Sequence, residues 1–208
     1  QDYAEAVKLY RKSAEQGNDD AQFNLGKMYD DGRGVKQDYA EAVKWYRKSA
    51  EQGSAAGQVN LGVMYDKGQG VEQDYAEAVK LYRKSAEQGN ADAQSNLGLM
   101  YSNGRGVKQD YAEAVKWFRK SAEQGSAAGQ VNLGVSYRDG LGVEKDEKEA
   151  VKLFRMSAEQ NYPDAQYSLG LMYRNGQGTD KNMVECLAWW LLAARQQHSG
   201  AMLWWRRA

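Results

Sequence analysis

The chain is poor in the residues that most often carry chemistry. It has one cysteine, one histidine and no net charge, with 28 Lys+Arg set against 28 Asp+Glu over 208 residues. A single cysteine, Cys186, excludes an intramolecular disulfide framework and says little about redox compartment. A single histidine, His198, excludes a histidine-based metal cluster. It also leaves a Ser-His-Asp or Cys-His nucleophile one base to draw on, and Cys186 and His198 lack the motif spacing such a pair needs. Zero net charge gives no general pull toward nucleic acid or anionic lipid. Long apolar runs are missing too: Leu187 to Ala194 is far too short to span a bilayer. No segment reads as a strand, and no EF-hand or Cys/His ligand spacing occurs. The chain opens as "QDYAEAVKLYRKSAEQG", already inside an amphipathic helix, so any targeting segment is expected upstream.

What the chain has in abundance is repetition. Asp-Tyr recurs every 36 residues at Asp2-Tyr3, Asp38-Tyr39, Asp74-Tyr75 and Asp110-Tyr111, and the register continues as Asp146-Glu147 and Asn182-Met183. "SAEQG" ends at Gly17, Gly53, Gly89 and Gly125, and "SAEQN" at Asn161. No accident of composition keeps register over a whole chain. Each unit reads as two helices. Helix B runs from Asp38 to Gly53 in one copy. Asp38 is its N-cap, and Glu41 completes a capping-box pattern. Tyr39, Ala42, Val43, Tyr46 and Ala50 form its apolar stripe. Gly53 suits a left-handed helix end. Helix A runs from Ala55 to Gly68, with Leu61, Met64 and Tyr65 on its stripe and Gly62 where a neighbour approaches closely. Between A and B lies a Gly-x-Gly such as Gly32-Arg33-Gly34. It follows a helix rather than a strand, and its middle residue is Arg, Gln or Leu, so it reads as a corner and not a phosphate cradle. Val35 beyond it is expected to reach the core. A slower 72-residue period alternates Leu9, Trp45, Leu81, Trp117, Leu153 and Trp189.

The residues Ala21, Leu25, Gly26, Tyr29, Gly32, Gly34, Val35, Asp38, Ala42, Trp45, Tyr46, Ser49, Ala50 and Gly53 resemble the pattern of the Sel1-like repeat family, which is related to tetratricopeptide repeats. The resemblance covers essentially the whole chain. Its cysteine-rich members carry a disulfide in each repeat, and this chain has none. The resemblance implies an all-α, right-handed superhelical α-solenoid of antiparallel helix pairs, with helices A on the concave face. The expected organisation is a single domain over 1–208: a partial unit 1–17, five A/B units over 18–197, and a capping stub over 198–208. The resemblance also implies an adaptor or scaffold, and leans toward a bacterial periplasmic or secreted setting.

Candidate binding residues follow from variation among the repeats. Positions spaced three, four and three residues apart share one face of helix A. They are Asp20, Phe23, Lys27 and Asp30, then Ala56, Val59, Val63 and Asp66, then Asp92, Ser95, Leu99 and Ser102. The series continues as Ala128, Val131, Val135 and Arg138, then Asp164, Tyr167, Leu171 and Arg174. By the tetratricopeptide analogy this face lines a groove suited to an extended peptide or a partner helix. Asn24, Asn60, Asn96 and Asn132 form a ladder beside it. Their amides either hold a ligand backbone or bond the neighbouring repeat. Val63 and Val135 read equally as inter-repeat core. The carboxylates Asp30, Asp31, Asp66, Asp92 and Asp139 read as solvated helix ends and turns rather than a glycosidase pair. Cys186 reads as a small buried hydrophobe.

The functional expectation is a non-catalytic protein- or peptide-binding adaptor or scaffold, with no metal, no cofactor and no nucleic acid or membrane-inserting role. The alternative is a self-associating spacer, joining copies at its C-terminal end through Trp190, Trp204 and Trp205. The competing reading of those tryptophans is a cap that seals the last repeat. A hydrolase is the weakest reading, because nothing supplies its machinery.

Overall fold

The computed structural model describes residues 2–205, with side chains through residue 202. Every regular element among the described residues is an α-helix. The B helices are α1 (Tyr3–Glu15), α3 (Tyr39–Glu51), α5 (Tyr75–Glu87), α7 (Tyr111–Glu123), α9 (Glu147–Glu159) and α11 (Met183–Arg195). The A helices are α2 (Asp19–Asp31), α4 (Ala55–Lys67), α6 (Ala91–Asn103), α8 (Ala127–Asp139), α10 (Pro163–Asn175) and the shorter α12 (Ser199–Trp205). Consecutive helices pack on one another within two compact units, residues 1–109 and 110–208. The sequence period crosses that boundary without a slip.

Local chemistry sets the helix ends. The Asp38 carboxylate accepts the N–H groups of Ala40 and Glu41 at 3.0 and 3.1 Å. The capping box is only half formed. Glu41 turns to Lys44 at 3.0 Å, while the Asp38 N–H donates to the Tyr29 carbonyl at 3.0 Å. A carbonyl from the preceding helix therefore does the work the glutamate would do. Gly53 takes φ +94° just past helix B, and Asn161 takes φ 62° at the equivalent place. Helix A starts on Asn18, Ser54, Asn90 or Ser126, each accepting an N–H three residues on. The A helix of residues 163–175 begins instead with Pro163, which has no N–H to satisfy.

The Gly-x-Gly corner needs both glycines for different reasons. Gly32 closes helix A in the left-handed region at φ 67°. Gly70, at φ +68°, lies against the previous helix B: a Cβ there would sit 2.3 Å from the Tyr39 carbonyl carbon and oxygen. Gln37 then donates to the Asp30 carbonyl at 2.7 Å, satisfying the frayed end of the helix. Val35 is half-buried against the first core cluster.

Within each unit, A/B pairs close a glycine of helix A under an aromatic ring of helix B. A Cβ on Gly26, Gly62 or Gly134 would lie 2.7–2.8 Å from the ring of Tyr46, Tyr82 or Phe154. Buried glutamines fasten the next contact. Gln22 donates to the Ala14 carbonyl at 3.1 Å and accepts from Gln52 at 2.7 Å. Gln58 does the same with the Ala50 carbonyl and Gln88. These amides span three successive helices, and enclosure makes each bond costly to lose.

Candidate functional site

The face of the A helices holds positions of very different depth. The second position of the stripe is the deepest: Val59, Ser95 and Val131 are only 7%, 2% and 8% exposed. These three were expected to line the groove. They instead fill space beneath it, because the neighbouring helices close over them. Phe23 and Tyr167 hold the same position but are too large to be enclosed, and stay half-buried. Phe23 leans on the Tyr46 ring at 6.0 Å, and Tyr167 stacks on Trp190 and His198 at 5.6 and 4.6 Å. The third position is shallower. Lys27 and Leu99 are exposed, and Val63, Val135 and Leu171 are half-buried. Asp20 is exposed at the first position.

The fourth position follows the aromatic ring it faces. The Tyr46 hydroxyl donates to Asp30 at 3.1 Å, and Tyr82 bonds Asp66 in the same way. Burial, with the carboxylate charge added, pushes both phenols well above the usual tyrosine range. Asp30 and Asp66 are thus engaged acceptors, not the solvated helix ends expected for them. Where helix B carries Phe118, Phe154 or Trp190, the fourth position is Ser102, Arg138 or Arg174. Arg138 forks onto Asp139 at 2.7 and 2.6 Å, and that bond holds the Asp139 carboxyl below its ordinary value. Arg174 lies over the Trp190 ring at 5.8 Å. A carboxylate therefore sits where a phenol can donate to it. The pairing of positions 30 and 46 along the repeats was a readable signal that pattern reading missed.

That pairing is testable by a mutant cycle. Tyr46→Phe is expected to cost about 1 kcal/mol, since Asp30 loses a donor inside a half-buried site. Asp30→Ser with Tyr46→Phe should cost less than the sum of the two single changes, because it copies the Ser102 and Phe118 combination. Additive costs in urea denaturation would show the two positions uncoupled.

Two members of the asparagine ladder bond within their own helices. Asn24 donates to the Asp20 carbonyl at 2.8 Å and Asn60 to the Ala56 carbonyl at 2.9 Å, each within its own helix. That bond occupies one of two amide N–H groups. Asn96 and Asn132 are half-buried at the same position.

At the C-terminal end, Trp190 is 2% exposed, covers Gly170, and donates its indole N–H to the Tyr167 carbonyl at 3.0 Å. It belongs to the core, which corrects its expected place on an interface. The reason is local: the ring fills the space that Tyr46 and Phe154 fill elsewhere. The side chains of Trp204 and Trp205 lie outside the described residues. Cys186 is fully enclosed, and burial pushes its thiol up, so it stays protonated and unreactive. His198 caps α12, its Nδ1 accepting from the Ala201 N–H at 3.3 Å, and its Nε2 meets Asp164 at 3.1 Å. Among the described residues no group of three or more His, Cys, Asp or Glu is placed to hold a metal ion, and no helix is long and apolar enough to cross a membrane.

Repeating residues hold helix to helix, while varying residues line the A face. That division defines a helical-repeat protein of the α-solenoid class. The Sel1 repeat profile matches residues 1–18, 19–54, 55–90, 91–126, 127–162 and 163–198, and the chain belongs to the Sel1 repeat family. A protective antigen of uropathogenic Escherichia coli strains with an SLR fold is 44% identical, with a TM-score of 0.80 over 97% of this chain. This chain spans 43% of the length of that antigen. A Sel1 repeat protein from Oxalobacter formigenes is 40% identical, with a TM-score of 0.87 over 96% of this chain and 82% of its own. A putative Sel1 repeat protein from Klebsiella pneumoniae shares the fold at 24% identity, with a TM-score of 0.67 over 97% of this chain and 98% of its own. No curated protein matches the chain. Sel1 repeat proteins are generally non-catalytic scaffolds for protein interactions.

Proposed function

We propose that the chain binds a protein or peptide on the face of its A helices and acts as an adaptor without turnover. The observation that carries this reading is the contrast between invariant and variable positions. The repeated glycines, glutamines and ring residues are consumed by packing. The varied positions keep accessible surface on the A helices of each unit, Lys27 and Leu99 in the first and Val135 and Leu171 in the second. Apolar members anchor a ligand, Asn24 and Asn60 offer amide groups, and Lys27, Asp20 and Arg174 set charge register. In the first unit the accessible charges are mixed; in the second Arg138 and Arg174 add positive charge, Arg138 already sharing its fork with Asp139.

The test compares partner capture from the native source by the wild type, by Leu99→Glu with Leu171→Glu, and by Asn60→Ala with Asn96→Ala. A true groove ligand should be lost from the first variant and weakened for the second. Melting temperatures should hold for the asparagine pair, since each amide bonds only its own helix or none across repeats. A partner retained in full by both variants, or stability lost with binding intact, would overturn the reading.

A further inference from the structure

The slow alternation along the B helices, Trp45 then Leu81, changes what fills the space beside the preceding helix A. The first unit holds both versions. Between α1, α2 and α3, Trp45 is 3% exposed and packs in one cluster with Ala14 and Leu25. The residues 36 positions on, between α3, α4 and α5, are Leu81, Ala50 and Leu61. Leu81 is the smaller side chain, and a cavity of about 200 Å³ opens over it, floored by Ala50, Leu61 and Leu81. Ala14 is buried beside Trp45, while Ala50 is only half-buried.

The tryptophans show what their surroundings do for a ring. Glu113 accepts Lys116 on Oε2 at 2.8 Å and the Trp117 indole N–H on Oε1 at 3.1 Å. Trp189 donates to Glu185, also four residues earlier, at 3.2 Å. Trp45 differs: Glu41 turns both oxygens to Lys44, and the Trp45 N–H has no partner. A lysine covers the ring face. Lys48 lies 4.5 Å from the Trp45 centroid, and Lys120 lies 4.5 Å from that of Trp117. Such a contact adds cation–π attraction to the burial of the ring.

The cavity over Leu81 has the same groups and no ring. Glu77 and Lys84 line it, at the positions of Glu113 and Lys120. Glu77 gives Oε2 to Lys80 at 2.9 Å, and its Oε1 accepts no hydrogen bond among the described residues. The Lys84 ammonium has neither an ion pair nor a ring beneath it among them. We propose that this cavity binds a small aromatic molecule of the indole class. The ring lies on Ala50, Leu61 and Leu81, donates its N–H to Glu77 Oε1, and takes Lys84 over its face. An apolar cavity of about 150 Å³ holds benzene. The larger space here has room for a fused bicyclic ring. An anion fits poorly, because Glu51 and Glu77 share the rim, and Arg47 is already bonded to the Tyr65 hydroxyl at 2.9 Å. None of these residues belongs to the A-helix stripe, so the site stands or falls without the adaptor role.

The test titrates the full chain with a fluoroindole, read by fluorine NMR. Saturable one-to-one binding is expected, with a Kd of about 1 mM or tighter. Benzofuran has the same shape without the N–H, and should compete about tenfold more weakly than indole. Leu81→Trp fills the cavity with the chain's own ring, copying Trp45 and Trp117. It should abolish binding, and hold or raise the melting temperature in circular dichroism. Leu153→Trp, the same change in the second unit, should leave binding unchanged, because Met156 stands there in place of the lysine. No saturable binding up to about 5 mM, binding that survives Leu81→Trp, or benzofuran equal to indole overturns the proposal. So does a lower melting temperature for Leu81→Trp, which would show the space too small for a ring. N-acetyl-L-tryptophanamide should bind no better than indole. A gain of about tenfold or more would assign the cavity to a partner's tryptophan side chain and overturn the small-molecule assignment.

Discussion

Gly70→Ala is expected to lower the unfolding free energy by about 3 kcal/mol, from left-handed strain of about 1–2 kcal/mol and overpacking of about 1–3 kcal/mol. The residue sits at φ +68°, and its missing Cβ would fall 2.3 Å from the Tyr39 backbone. That neighbour is main chain at the start of a helix, so it cannot rotate away. Gly53→Ala is the control. Gly53 has φ +94° with nothing within 4 Å of a built Cβ, so only the conformational cost of about 1 kcal/mol remains. The difference between the two variants in urea midpoint isolates the close approach. Equal losses for both would mean that the corner only turns the chain and does not seat on the previous helix.

The second large effect lies at the other end. Trp190→Ala is expected to destabilise by about 4 kcal/mol, the range for removing a buried aromatic. It would uncover Gly170, strip the stack from Tyr167, and leave the Tyr167 carbonyl without its indole donor. Trp190→Phe should cost less than half as much, since Phe154 fills the same space over Gly134. Thermal unfolding followed by circular dichroism reads both. A Trp190→Ala protein with wild-type stability would return this ring to the surface, where an interface role needs it.

Much of this molecule is readable from its pattern because the pattern is local. A left-handed glycine, an N-cap carboxylate and an apolar stripe act within a few residues, so Gly32, Asp38 and Val43 announce their roles directly. The 36-residue period then carries each local reading along the chain. The close approach at Gly62 was legible for the same reason, because an invariant glycine inside a helix implies a neighbour. The family and the all-helical class follow from these features alone.

Depth and pairing needed the third dimension. Val59 and Val63 are alike in type and four residues apart, yet one is enclosed and the other half open. Periodicity assigns a face but not how far a neighbouring helix leans over it. Asp30 and Asp66 looked like solvent carboxylates until Tyr46 and Tyr82 came within bonding distance from another helix. The glutamine staples at Gln22 and Gln58 hid inside polar-looking stretches, because an amide shows no sequence sign of where it will be buried. Trp190 reads in sequence as a candidate interface residue. It is sealed over Gly170, and only packing between helices decides that.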